Sequence, residues 1–233
     1  MNFSHRVRRS PPLLLMLLAA ACVRASAGGS GATLPINSAE TAVAPDAAAD
    51  SLLTDITSLD PTIIVEMRYA TTNNFTGAAL PGYLANRAFL RTDAAAALAR
   101  VHDRLRQNGL GLKVFDAYRP VRATVAMMDW TDRVNRRDLV TNGYIASRSR
   151  HNLGLAVDLT LVNLRNGAEL DMGTPFDTFS EAAHTANATG SAAENRQLLK
   201  SAMQRQGFTS YDKEWWHFSF SIPAPLRFDR VIR

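Results

Sequence analysis

Residues 149–158 read SRHNLGLAVD, and this stretch contains the first candidate functional side chains of the chain. It holds one imidazole, His151, and one carboxylate, Asp158, seven positions apart with Gly154 between them. After Gly154 large apolar residues alternate with small or polar ones, which predicts a core strand whose carboxylate points away from the larger apolar side chains. On a flat strand, side chains seven positions apart point to opposite faces. His151 and Asp158 could reach one metal ion only if the backbone bends between them, and we expect that bend at Gly154.

A second stretch, EWWH at residues 214–217, supplies another carboxylate, Glu214, and another imidazole, His217. Two histidines and one aspartate, with a free glutamate nearby, are the ligand set of a catalytic zinc site that keeps a position open for water. Glu214 and His217 are three positions apart, which again favours opposite faces. We therefore expect a strand that begins at Trp215, with Glu214 on the preceding loop.

Each of these residues also has a simpler interpretation when it is taken alone. A single histidine beside an apolar strand is usually a hydrogen-bonded structural residue. Asp158 could cap a turn or pair with Arg150, and Glu214 could be an exposed loop charge. Spacing alone leaves the zinc site and these alternatives open.

The rest of the pattern predicts strands near residues 63–69, 112–118 and 215–222. Thr92 or Asp93 can cap a helix that ends at Gly109. Pro120 can open a second helix, with Val121, Val125 and Met128 facing inward. Ser191 and Glu194 have the spacing of a capping box for a third.

Residues 173–190 are polar and irregular, which is typical of a loop, here one that covers the site. Strands and helices do not alternate regularly, and hairpins are expected. The fold class predicted is α+β, a mainly antiparallel sheet with helices packed on it, in a single domain at residues 51–233.

Composition describes an ordinary soluble protein of 233 residues, with 46% hydrophobic and 20% charged residues. The formal charge of +5 includes Arg6, Arg8 and Arg9, and without the first 21 residues it falls to +2. A nearly balanced surface argues against nucleic acid as a partner.

The N-terminus has the pattern of an export signal, since the three arginines precede an apolar run at residues 13–21 that is too short for a stable anchor. Cleavage after Ala27 would leave a soluble domain. Alternatively Cys22, the chain's single cysteine, is the lipidation site of a lipoprotein signal and would anchor the protein in a membrane. We therefore expect an export signal at residues 1–27, a flexible tether at 28–50, and a location in the periplasm or cell envelope.

Taken together, these motifs resemble the zinc peptidases that cleave D-amino acid bonds in peptidoglycan, a superfamily with D,D-carboxypeptidases and hedgehog-type domains. The similarity is greatest to D-alanyl-D-alanine dipeptidases of the vancomycin-resistance type, and it spans residues 63–218. The motifs that carry it are YAT at 69–71, NFTG at 74–77, DAYRP at 116–120, SRHNLGLAVD at 149–158, MG at 172–173 with FD at 176–177, and EWWH at 214–217.

This resemblance implies a role for each matching residue. His151, Asp158 and His217 would bind one Zn²⁺. Glu214 would be the general base, and Arg119 would stabilise the oxyanion. Tyr69, Ser149 and Asp177 would hold the ends of D-Ala-D-Ala, with the Asp177 carboxylate suited to the free ammonium. An ion pair between Asp116 and Arg119 is the simpler interpretation of that arginine.

An export signal fits poorly with a role in vancomycin resistance, because such an enzyme must destroy D-Ala-D-Ala where precursors are assembled. Peptidoglycan turnover or scavenging fits better. The nearest alternative activity is a D,D- or L,D-carboxypeptidase acting on longer stem peptides. A non-catalytic module that binds zinc or wall peptide is the alternative from another class.

Overall fold

The structure is a computed structural model that describes Met1 and residues 42–233. The predicted export signal, the candidate lipidation site Cys22 and the first part of the predicted tether lie outside the described residues. None of the helices in the described chain is long and apolar enough to cross a membrane.

Six helices and nine strands make up the described chain. The strands are β1 (Val43–Ala44), β2 (Leu53–Asp55), β3 (Ile64–Val65), β4 (Phe89–Arg91), β5 (Leu110–Asp116), β6 (Ala156–Asn163), β7 (Thr209–Tyr211), β8 (Glu214–Ser219) and β9 (Arg227–Phe228). The helices are α1 (Asp46–Leu52), α2 (Ile56–Leu59), α3 (Thr92–Arg106), α4 (Val121–Arg133), α5 (Asp138–Thr141) and α6 (Gly190–Gln204). Short 3₁₀ turns add to these, among them Arg68–Ala70 and Arg150–Leu153.

The central sheet has five strands in the order β3-β5-β6-β8-β7. Its β3–β5 pair is parallel and its other pairs are antiparallel, so the predicted α+β fold with a mainly antiparallel sheet is confirmed, in a mixed form. α3 and α6 pack against this sheet and against each other. Strand β6 is buried on both faces until its last residue, which makes it the centre of the core.

The folded part of the described chain begins at Val43, not at Ser51. β1 pairs in parallel with β9, and the side chain of Ala49 in α1 is completely buried. The predicted tether is therefore wrong for residues 43–50. The helix α1 could not be recognised from its sequence, because a run of alanines is compatible both with a tether and with a helix.

Two helix details also differ from prediction. In α4 the buried residues are Ala123, Thr124, Met127 and Thr131, whereas Val125 is 52% exposed. The inward face is thus rotated from the one predicted, because a hydroxyl and a small residue pack where larger apolar residues were expected. Ser191 lies inside α6 and bonds to Asp171, so it does not form the predicted capping box.

The predicted bend at Gly154 is confirmed. Gly154 ends the 3₁₀ turn Arg150–Leu153 with φ +65°, a left-handed conformation that glycine adopts without strain. Its carbonyl oxygen accepts a 2.8 Å hydrogen bond from the amide of Arg91, which fixes the turn against β4. His151 therefore sits on the turn and not on β6, which removes the conflict of parity with Asp158.

We expect Gly154→Ala to lower the free energy of unfolding by about 2 kcal/mol, because the new side chain combines left-handed strain with a clash. An added Cβ would lie 2.5 Å from Cδ2 of Leu53 and 3.2 Å from the amide nitrogen of Arg91. Gly167→Ala is the matched control, since Gly167 has φ +70° but no atom within 4 Å of the added Cβ. Equal losses in urea unfolding of the two variants would contradict the packing argument.

Candidate active site

The three predicted metal ligands converge on one point. His151 comes from the 3₁₀ turn, Asp158 from β6 and His217 from β8, where Asp158 and His217 are paired across the sheet. Nε2 of His151 lies 3.3 Å from Oδ2 of Asp158 and 3.2 Å from Nδ1 of His217. Nδ1 of His217 lies 2.9 Å from Oδ1 of Asp158.

This donor set fits a zinc ion. Ligands at about 2.0–2.1 Å from a tetrahedral zinc are separated from one another by roughly 3.3 Å, close to the separations found here. The outward nitrogens are also satisfied. Nδ1 of His151 donates to the carbonyl of Ala117 at 2.6 Å, and Nε2 of His217 lies 3.3 Å from Oγ of Ser219. These contacts leave Nε2 of His151 and Nδ1 of His217 free to bind a metal.

Glu214 reaches the same point by a route that the sequence did not reveal. It lies within β8 and not on the preceding loop, so that part of the prediction is wrong. The register of β7 against β8 shifts between Ser210 and Tyr211, where Tyr211 pairs with Glu214, so the strand is irregular at the point where Glu214 approaches His217. Oε2 of Glu214 is 3.9 Å from Nδ1 of His217. Burial raises the pKa of Glu214, and the carboxylates of Asp158 and Asp177 raise it further.

Arg119 follows β5 and is 8% exposed. Its Nε donates to Oδ2 of Asp116 at 2.9 Å, so the ion pair considered as the simpler interpretation is present. Nη2 nevertheless lies 3.8 Å from Oδ2 of Asp158, which places the guanidinium beside the metal ligands. The ion pair therefore orients the cation toward the site and does not withdraw it.

Asp116 is completely buried and joins several of these groups. One of its oxygens accepts a 2.6 Å hydrogen bond from the hydroxyl of Tyr83, and the other accepts from Arg119 and lies 3.3 Å from Nδ1 of His151. Tyr83 was not predicted as part of the site, and no motif quoted from the sequence includes it. Tyr83 contributes through its hydrogen bond to Asp116, a residue 33 positions away in the sequence.

The predicted substrate-binding residues line one cavity together with the three candidate metal ligands, Glu214 and Arg119. The cavity has a volume of about 620 Å³, and Tyr69, Ser149 and Asp177 all form part of its wall. The hydroxyl of Tyr69 donates to Oδ1 of Asp177 at 3.1 Å. Oγ of Ser149 accepts a 3.2 Å bond from the amide of His151, which holds the ligand-bearing turn.

Asp177 stands on the loop between β6 and α6, as predicted for a segment that covers the site. It has φ +61°, which is uncommon for a residue with a side chain. Burial raises its pKa to about 8, and the nearby carboxylate of Asp158 adds to the rise. A cationic partner beside the group would favour its ionised form, because it offsets the cost of burying the charge.

We expect Asp116→Asn to lower the free energy of unfolding by about 3 kcal/mol, because it leaves the buried Arg119 without its anion. Affinity for Zn²⁺ should fall by about tenfold or more, because His151 loses a neighbour that orients it. Asp229→Asn is the control, since Asp229 pairs with Arg122 in a partly exposed position. Urea unfolding and zinc titration measure both effects, and a loss no larger than the control's would contradict this account.

Comparison with known proteins agrees with the geometry. A family model for D-Ala-D-Ala dipeptidases, peptidase family M15, matches residues 50–228. The D-alanyl-D-alanine dipeptidase of Enterococcus faecium is 36% identical over 169 residues, which cover 66% of this chain and 83% of that protein. The corresponding protein of Enterococcus faecalis (strain ATCC 700802 / V583) is 37% identical over 168 residues, with the same coverage of 66% and 83%.

Among solved structures, the LD-carboxypeptidase LdcB is a distant likeness, with a TM-score of 0.40 and 21% identity over 57% of this chain and 59% of that one. The family match covers most of the described domain, from α1 to β9. The chain therefore belongs to the D-Ala-D-Ala dipeptidase family of M15 peptidases.

Proposed function

We propose that this chain is a zinc metallopeptidase that hydrolyses the dipeptide D-alanyl-D-alanine. The observation that carries the proposal is the placement of Asp177 in the same cavity as the three metal-binding side chains. A carboxylate at that wall suits a substrate with a free ammonium group, which a dipeptide has and an internal peptide segment lacks. Family membership and the named dipeptidase relatives support the same substrate.

His151, Asp158 and His217 would hold the zinc ion. When bound, Zn²⁺ polarises a carbonyl oxygen and lowers the pKa of a coordinated water to about 7. We assign the remaining chemistry to the chain's own residues.

Glu214 is the general base. It takes a proton from the water that attacks the peptide carbonyl, and it returns that proton to the nitrogen of the leaving D-alanine as the carbon–nitrogen bond breaks. Its raised pKa suits both halves of this task, because a carboxyl group that holds its proton more firmly can act as acid as well as base.

Arg119 stabilises the negative charge that develops on the carbonyl oxygen. Its ion pair with Asp116 fixes the guanidinium in advance, so little reorganisation is needed as the charge appears. Asp177 and Tyr69 bind the ammonium end of the substrate, and Ser149 binds near the other end.

Hydrolysis of free D-Ala-D-Ala should exceed that of N-acetyl-D-Ala-D-Ala by about 100-fold or more in kcat/KM, since acetylation removes the charge that Asp177 pairs with. A carboxypeptidase would cleave both. Chromatography of released D-alanine measures the two rates in the zinc-loaded protein. Equal cleavage would replace the dipeptidase with the carboxypeptidase alternative.

Two variants serve as controls for this comparison. Asp177→Asn should raise KM for the free dipeptide without improving its kcat, which narrows the difference between the two substrates. Glu214→Ala should bind zinc normally and lose turnover. Absence of turnover in the zinc-loaded native protein would instead support a non-catalytic binding module.

We also propose that the protein acts outside the cytoplasm, in peptidoglycan turnover or in scavenging of released D-Ala-D-Ala. The basic residues before the apolar run at 13–21 support export. Cys22 directly follows that run, and this position supports a lipid anchor. A tagged full-length chain should fractionate with the cell envelope and incorporate a labelled fatty acid, and Cys22→Ser should abolish labelling. Recovery of the tagged chain in the cytosol would disprove export, and an exported but unlabelled chain would favour cleavage after Ala27.

A further inference from the structure

The loop that carries Asp177 is tied to one face of α6 at both of its ends. At its start, Nδ2 of Asn195 donates to the carbonyl of Asp171 at 2.8 Å, and Nε of Arg196 donates to the carbonyl of Met172 at 2.7 Å. At its end, the other two guanidinium nitrogens of Arg196 donate to the carbonyls of Ala182 and His184, at 3.0 and 2.7 Å. One side chain thus joins the two ends of the segment at residues 172–184.

Arg196 is an unusual residue for this position, because it is 1% exposed and no carboxylate among the described residues lies within ion-pair distance of it, although Asp171 is close enough to act on its charge. A buried cation without an anion is unfavourable unless hydrogen bonds satisfy it. Here backbone carbonyls do so, and the rigid planar fork of arginine serves three of them in fixed directions. A shorter side chain, or one with a single charged nitrogen, could not donate to all three carbonyl oxygens in these directions.

Close packing adds to these bonds. Gly173 approaches α6 so closely that an added Cβ would lie 3.1 Å from Cβ of Ala192 and 3.4 Å from Nη2 of Arg196. Next to it, Oγ1 of Thr174 accepts a 2.9 Å bond from the indole of Trp215, the residue that follows Glu214. The start of the loop is therefore fixed both to the helix and to the strand that carries the general base.

We propose that Arg196 is a positioning residue that sets the affinity for the substrate's free ammonium, by holding residues 172–184 so that Asp177 faces the cavity beside Tyr69. Arg196 does not line the cavity itself and acts through the loop. This inference rests on the proposed dipeptidase function, which assigns the ammonium to Asp177.

Arg196→Lys keeps the positive charge but loses the planar guanidinium, and Arg196→Met removes both the charge and the hydrogen-bond donors. KM for D-Ala-D-Ala should rise by about tenfold in Arg196→Lys and more in Arg196→Met, while kcat changes by less than about threefold. Gln197→Ala is the control, because the neighbouring Gln197 is exposed and bonds only to Ser201 of the same helix. Its KM should stay at the native value. If Arg196→Met does not fold, Asn195→Ala, which removes the bond to Asp171, tests the same anchoring with a smaller rise in KM.

A double-mutant cycle separates positioning from a general loss of stability. In the Asp177→Asn background, Arg196→Lys should leave KM unchanged, because the group through which it acts is already neutral. A rise in KM of the same size in both backgrounds would overturn the proposal, as would a fall in kcat with KM unaltered.

Hydrogen–deuterium exchange gives a measurement that does not depend on substrate. Amides at residues 174–181 should exchange faster in Arg196→Lys than in the native protein or Gln197→Ala, with exchange in β6 unchanged. Unaltered exchange in the loop would overturn the positioning role. If the native protein fails to cleave D-Ala-D-Ala while the loop exchanges faster in Arg196→Lys, the proposed function is wrong and the anchoring by Arg196 stands.

Discussion

The buried carboxylate of Asp116 is the interaction on which the site depends. It lies at the end of β5, where the strand stops and the chain turns toward α4. A carboxylate with no exposure must be neutralised by its surroundings, and Arg119 and Tyr83 do this with short hydrogen bonds. The same carboxylate lies beside His151, so it contacts both the guanidinium of Arg119 and one of the candidate metal ligands.

Around this point Arg119 lies among several carboxylates. Asp158, Asp177 and Glu214 face the same cavity, and their mutual repulsion together with burial explains why two of them hold protons more firmly than usual. Asp158 behaves oppositely, because the imidazoles of His151 and His217 outweigh its burial and lower its pKa. A zinc site that has an aspartate ligand and a glutamate base uses both kinds of carboxyl group, one that stays charged and one that can carry a proton.

The sequence predicted the site more fully than it predicted the surroundings. The ligand set could be found because His151, Asp158 and His217 lie in motifs that resemble those of a known family. The bend at Gly154 followed from side-chain alternation together with the requirement that His151 and Asp158 reach one ion. Glu214 was predicted near the metal but on the wrong element, because an irregular register depends on pairing between strands and leaves no local pattern. Tyr83 and Arg196 act through bonds to distant residues, and neither composition nor spacing marks such partners. Residues 43–50 were missed because β1 is a strand only through its pairing with β9.

That pairing has a consequence for how the domain protects itself from association. β9 is short, and its Phe228 is completely buried. With β1 in place, the hydrogen-bonding groups on one side of β9 are covered. A shortened chain that started at Ser51 would uncover this edge and remove the carboxylate of Asp50 that pairs with Arg230. Open strand edges can pair with strands of other molecules, and β1 covers one such edge of β9.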